Sequence, residues 1–96
     1  VSKQKQTVPE IFAAAIETFN ERNGMYGASY IKTAKLMEVL HPEGLNIKTA
    51  KEHELAHLWY LLIVKLTRFA NTGMTHRDSI HDLAVYAALI ESLLED

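Results

Sequence analysis

Residues 49–70 read TAKEHELAHLWYLLIVKLTRFA, and this stretch decides the fold. Thr49 and Glu52 have the spacing of a capping box, in which each side chain accepts a hydrogen bond from the backbone at a helix start. Residues 58–64 (LWYLLIV) are apolar all round a helical wheel. A helix without a polar face has to be covered on every side. Because the run is shorter than the ~18 apolar residues of a membrane span, we expect a central helix covered by protein.

Helix 1 is predicted from a second capping box, formed by Thr7 and Glu10. We expect this helix to end at Asn23-Gly24, because glycine readily adopts the left-handed conformation that ends helices. Its apolar residues recur at helical spacing and predict a buried stripe of Ile11, Phe12, Ala15, Ile16 and Phe19.

Helix 2 is expected from about Ser29 to Leu40, where His41-Pro42-Glu43-Gly44 interrupts it. Helix 4 is expected from about Arg77 to Leu94, and the short loop before it predicts an antiparallel hairpin with helix 3. The sequence therefore predicts an all-α fold, a compact bundle of about four helices around the central helix 49–70. We expect residues 1–6 to be a frayed terminus and residues 7–96 to be a single domain. The residues of helix 2 expected to face inward are Tyr30, Ala34, Met37 and Leu40.

Composition restricts the possible functions. With a net charge of -2, the chain has no general attraction for nucleic acid or an anionic membrane, so neither is an expected partner. The absence of cysteine excludes disulfides, thiolate zinc sites and cysteine nucleophiles. No signal peptide or membrane span is recognisable, which favours a cytoplasmic protein. Hydrophobic residues make up 48% of the chain, more than short helices can easily bury, so a homo-oligomer is expected, most simply a dimer.

Two cations interrupt the apolar run of the central helix. Lys65 and Arg68 are three residues apart and therefore share one face. Helix 4 carries Asp78, Asp82 and Tyr86 on one stripe, and an antiparallel hairpin places Lys65 near Asp82 and Arg68 near Asp78. These pairs either fix the register of the hairpin or position charges for an anionic ligand. The sequence leaves both interpretations open.

The two carboxylates of helix 4 also suggest a metal site. Asp78 and Asp82 are one helical turn apart, and two such carboxylates can hold Mg²⁺ while leaving positions for water and phosphate. This interpretation predicts a Mg²⁺-dependent nucleotide hydrolase, in which the metal activates a water molecule.

The segment 22–30 (RNGMYGASY) is the second candidate for ligand binding. Gly24 and Gly27 permit a close approach of the backbone to a ligand, and Tyr26 offers a ring on which a base can stack. Arg22 and Lys32 flank the segment and are placed to contact phosphates. The alternative is an ordinary connection between helices, with Tyr26 anchoring the loop to the core.

The histidines suggest two further sites. His53-Glu54-Leu55-Ala56-His57 has the HExxH pattern of zinc metalloproteases, although no third ligand is evident downstream and the flanking chain is helical. His76 precedes Asp78 closely and is a candidate contact for a phosphate or for the carboxylate.

Several of these motifs together resemble a family of small phage and prophage proteins of unknown function, and the related nucleotide-modification-associated domains of phages. The resemblance covers most of the chain and implies an all-helical fold, a phage origin with an infected or lysogenic bacterial host, and a link to nucleotides. A more distant similarity is to the all-α pyrophosphohydrolases of the MazG and dUTPase type, whose Glu-x-x-Glu and Glu-x-x-Asp motifs are absent here. The motifs that carry the resemblance are Arg22-x-x-x-Tyr26-Gly27, Lys65-Leu66-x-Arg68 and His76-x-Asp78-Ser79-x-x-Asp82-x-x-x-Tyr86.

Three functions follow as hypotheses. The first is the binding of a nucleotide or nucleotide-derived signal by the residues of those three motifs, with its sequestration as an extension. The second is the Mg²⁺-dependent hydrolysis of a nucleotide. The third is a structural module that assembles into oligomers.

Overall fold

The computed structural model describes residues 5–94, and within them the chain forms four helices and no strand. These are α1 (Val8–Tyr26), α2 (Ser29–Leu40), α3 (Ala50–Asn71) and α4 (Arg77–Leu94). The predicted all-α fold of four helices is confirmed. Residues 1–4, most of the predicted frayed terminus, lie outside the described residues, as do residues 95–96 of the predicted domain.

Both predicted capping boxes are present. The Thr7 amide donates to Glu10 Oε1 over 2.9 Å, and the Thr49 amide donates to Glu52 Oε1 over 2.8 Å. Hydrogen bonds from the Thr7 side chain and backbone lower the pKa of Glu10, and those from the Thr49 and Lys48 amides lower the pKa of Glu52. Because the ionised carboxylates are the acceptors, these bonds stabilise the helix starts above the ordinary pKa of glutamate. That contribution is lost as the pH falls through the lowered pKa values.

Helices α3 and α4 form the predicted hairpin and pack closely together. Lys65 and Asp82, which are about equally far from the connecting turn, approach to 3.0 Å, as an antiparallel arrangement requires. Helix α2 packs on α3 through a buried contact of 2.7 Å between the hydroxyl oxygens of Thr33 and Thr67. Helices α2 and α4 therefore cover α3 on two sides.

The end of α1 differs from the prediction. The helix continues through Asn23-Gly24 and ends after Tyr26, where Gly27 has a φ of 62°. A glycine in the last turn of a helix lowers its stability without ending it. The left-handed conformation of Gly27 is what ends α1, and the three added residues bring Tyr26 onto the helix.

The faces of α1 and α2 were also predicted incorrectly. The apolar stripe of α1 is exposed instead of buried, because periodicity shows that a helix has an apolar face but does not show what covers it. In α2, Tyr30 is 61% exposed, and the buried position is Thr33. Thr33 faces inward because Thr67 offers its hydroxyl a hydrogen-bonding partner.

The central helix is covered only in part. Ile63 is the one apolar side chain that is fully buried among the described residues, and Tyr60 remains 49% exposed. Trp59 is half-buried and donates its indole N–H to His41 Nε2 over 2.9 Å. Within residues 5–94, no helix combines the length and the apolar character needed to cross a bilayer.

Candidate functional site

The two cations of α3 have different partners. Lys65 Nζ lies 3.0 Å from Asp82 Oδ2, and the Lys65 side chain is only 17% exposed. This is the one ion pair within residues 5–94. Asp82 therefore balances the charge of a nearly buried lysine, and the pair fixes the register of the α3–α4 hairpin.

Arg68 lies one turn further along α3 and contacts an aromatic ring. Its guanidinium carbon is 4.7 Å from the centroid of the Tyr26 ring, which is a cation–π contact. In the part of the chain that the structure describes, neither Arg68 nor Arg22 forms an ion pair. The expected neighbour of Arg68 was Asp78, which is exposed and forms no ion pair within the same residues. Arg68 thus has no carboxylate within ion-pair distance, and Glu21 of α1 lines a smaller pocket together with Arg22, Tyr26 and Arg68.

The Tyr26 ring is held from a second side by His76. The two rings meet edge to face, with centroids 5.5 Å apart and an interplanar angle of 87°. His76 Nδ1 in turn lies 2.7 Å from Ser79 Oγ, and Ser79 is fully buried at the start of α4. A buried hydroxyl is not accessible to a substrate, so this pair is a helix-start contact that orients His76. His76 then positions Tyr26.

Arg22, Tyr26, Gly27 and Arg68 line one cleft, together with Phe19 and Tyr30. We call it the arginine cleft. It is formed by the end of α1, the start of α2 and the face of α3 that carries Arg68, and its volume is about 450 Å³. Four of the predicted ligand-binding residues, from segments far apart in the sequence, therefore meet in one place.

Two aromatic residues of the arginine cleft were assigned to the core by the sequence. Phe19 is 53% exposed, and its ring meets that of Tyr30 with centroids 6.5 Å apart and an interplanar angle of 61°. The signal that indicates them is the spacing of Phe19 and Arg22, which are three residues apart and share one face of α1. An exposed ring can stack on a base while a neighbouring arginine binds phosphate.

Backbone and amide donors lie beside the cleft. Ala28, at the N-cap of α2, has no side chain that can accept from the first amides of the helix, and such amides attract anions. The Nδ2 atom of Asn71 is buried without a hydrogen-bonding partner within the described residues, and it lies next to Gly27. Unsatisfied donors of this kind are costly unless a ligand or water accepts from them.

The remaining predicted residues do not line the arginine cleft. Asp82 is paired with Lys65, while Asp78 is exposed and Tyr86 is half-buried elsewhere on α4. Among the described residues, no group of three or more His, Cys, Asp or Glu side chains is arranged to hold a metal ion. Mg²⁺ binding by Asp78 and Asp82 therefore stays a prediction without a third protein ligand to support it.

The HExxH segment lies on an exposed part of α3. His53, Glu54 and His57 all face solvent, and His53 Nδ1 lies 2.8 Å from the carbonyl oxygen of Thr49. A catalytic zinc site needs a third protein ligand, and the described residues supply none. The pattern is better explained as the polar start of the central helix.

Comparisons with protein-family models, with curated proteins and with solved structures each find no significant match to this chain. The resemblance to phage proteins and the distant similarity to MazG-type enzymes thus stay predictions.

Proposed function

We propose that this protein binds a nucleotide or a nucleotide-derived small molecule in the arginine cleft. One observation carries the proposal. Of two cations on the same face of α3, Lys65 has a carboxylate partner and Arg68 has none within the described residues. A guanidinium group held in place by Tyr26 without a carboxylate is prepared to accept an anionic ligand.

The composition of the cleft favours a phosphate joined to an aromatic group. Arg22 and Arg68 can each bind phosphate oxygens through two parallel N–H donors. Arg68 covers one face of Tyr26, so the exposed rings of Phe19 and Tyr30 are the surfaces available to a base. A volume of about 450 Å³ lies within the range of small-molecule sites.

Binding is a better-supported function than hydrolysis. The carboxylates that would hold Mg²⁺ do not line the cleft, and one of them already neutralises Lys65. Ser79 is buried and cannot act as a nucleophile. The residues that do line the cleft supply positive charge and aromatic surface, which bind a nucleotide without activating water.

A matched pair of variants tests the proposal by calorimetry with AMP, ATP, GTP, UTP and inorganic phosphate, with and without Mg²⁺. Arg68→Gln removes the unpaired charge and is expected to lower the affinity for the bound nucleotide at least tenfold, about 1.4 kcal/mol. Lys65→Gln removes an equal charge one turn away and should leave that affinity nearly unchanged, although it alters stability. Full affinity in Arg68→Gln would show that the arginine cleft is not the site.

Product analysis in the same samples separates binding from catalysis. We expect the nucleotide to be recovered intact after long incubation. Mg²⁺-dependent release of phosphate or pyrophosphate would contradict the proposal and favour the hydrolase hypothesis.

A further inference from the structure

The apolar face of α1 is exposed from Val8 to Ile16. Its large side chains are between 51 and 65% exposed, although their spacing places them on one face. Helix α1 contacts the rest of the chain mainly through Tyr26 at its C-terminal end and through the Phe19–Tyr30 pair. The exposed residues outside the arginine cleft are Val8, Ile11, Phe12 and Ile16, whereas Phe19 on the same face lines the cleft.

The total surface of the chain is large for its mass. One chain exposes 7699 Å², whereas a compact protein of 10.9 kDa exposes about 5600 Å². The radius of gyration is 17.2 Å, against about 12.5 Å for a compact domain of this length. The excess of about 2100 Å² is more than the ~800 Å² that one partner contributes to a standard interface.

The buried core of a single chain is correspondingly small. Among residues 5–94, Ile63 is the only apolar side chain that is buried, while the other fully buried positions are the hydroxyl residues Thr33, Thr67 and Ser79. Burial of apolar surface is the main favourable term in folding. A chain that is 48% hydrophobic and buries so little of it alone needs further surface to cover it.

We infer that the apolar face of α1 packs against a second copy of this chain, in a symmetric dimer in which each α1 contacts the partner. The face opposite the apolar stripe carries Glu10, Glu17 and Glu21. This acidic face argues against a membrane surface, since helices that lie on anionic lipid carry lysine and arginine there. The excess surface of the whole chain, about 2100 Å², is large enough to include one side of a stable dimer interface.

Sedimentation of the full chain at tens of micromolar tests the dimer, with three variants. One chain has a mass of 10.9 kDa, and the wild type is expected at twice that mass. Phe12→Lys and Ile16→Lys place a charge in the apolar face and should each raise the dimer dissociation constant at least about tenfold. Ala13→Lys is the matched control, because position 13 is exposed outside the stripe, between Glu10 and Glu17.

Each result decides for or against the interface. Phe12 and Ile16 do not line the arginine cleft. The test of the dimer therefore stays valid if the protein proves to bind no nucleotide. The proposal is supported if Phe12→Lys and Ile16→Lys both sediment at a lower mass than the wild type while Ala13→Lys remains a dimer. Far-UV circular dichroism should show that the variants keep their helix content. A monomeric wild type overturns it, whether or not the chain binds vesicles containing phosphatidylserine. Equal dimerisation of Phe12→Lys and the wild type also overturns it.

Discussion

Lys65 and Arg68 lie three residues apart on one face of the same helix and have opposite environments. Lys65 is nearly buried and its charge is balanced by Asp82 at 3.0 Å. Arg68 lies against the face of the Tyr26 ring and has no carboxylate partner within the described residues. The difference shows that a charge in an apolar seam has a structural role where a neighbouring helix supplies its counterion. Where that helix supplies a ring, the charge stays available to a ligand.

The helix that faces each cation explains the difference. Opposite Lys65 lies α4, whose Asp82 is at the matching level of the hairpin. Opposite Arg68 lies the C-terminal end of α1, where Tyr26 meets the guanidinium group and the positive φ of Gly27 ends the helix. Asp78 is exposed and does not form an ion pair within residues 5–94.

The largest effect on stability is expected from Asp82→Asn. This change leaves the charge of Lys65 without its counterion at a site where the lysine is 17% exposed. We expect the free energy of unfolding to fall by about 1–2 kcal/mol, between the values for exposed and for buried pairs. Urea denaturation measures this, and nucleotide affinity measured under native conditions should stay within about threefold.

The control for that prediction is the double variant Lys65→Met with Asp82→Leu. Replacing both charges with apolar side chains removes the unpaired lysine and should restore most of the stability, because an ion pair that is partly buried, as here with Asp82 40% exposed, is often no better than apolar packing. If the single variant Asp82→Asn instead weakens nucleotide binding strongly while stability is kept, Asp82 belongs to the ligand site and the comparison with Arg68 fails.

The sequence predicted the register of the hairpin but not the partner of Arg68. The capping box of α3 and the short loop before α4 indicate where these two helices start, so the level of Lys65 against Asp82 follows from local signals. The contact of Arg68 with Tyr26 depends on where α1 ends. The sequence placed that end too early, at Asn23-Gly24, whereas the helix continues to Tyr26. A contact between segments separated by forty residues follows from tertiary packing, which periodicity does not describe.

The aromatic residues of the arginine cleft show the same limit. Phe19 and Tyr30 have the spacing of core residues, and the sequence assigned them to buried stripes. Both are exposed in one chain because α1 packs little against the other helices. Hydrophobic spacing identifies a face, and only the positions of the neighbouring helices decide whether it is a core, a ligand site or an interface.

Arg68→Lys sharpens the comparison by keeping the charge and changing its shape. Lysine keeps the positive charge but loses the planar group that stacks on Tyr26 and binds phosphate through two donors. We expect nucleotide affinity to fall by about three- to tenfold, up to 1.4 kcal/mol, less than in Arg68→Gln. Calorimetry measures the difference. Unchanged affinity would indicate that charge alone is recognised.

Asp78→Asn is expected to have the smallest effect, and it separates the remaining hypotheses. Asp78 is exposed and forms no ion pair in the described part of the chain, so the free energy of unfolding should change by less than about 0.5 kcal/mol. Nucleotide affinity should not change either, because Asp78 does not line the arginine cleft. The measurement is calorimetry of wild type and Asp78→Asn, each with and without Mg²⁺.

The outcome with Mg²⁺ decides the role of α4. If Asp78 and Asp82 held the metal as the sequence hypothesis proposes, Asp78→Asn would abolish any increase in nucleotide affinity that Mg²⁺ produces. In the arrangement described here, Asp82 neutralises Lys65 and is not free to bind a metal without exposing that lysine's charge. We therefore expect the Mg²⁺ response of the variant to equal that of the wild type. A response lost in the variant would move the ligand site from the α1 side of α3 to its α4 side.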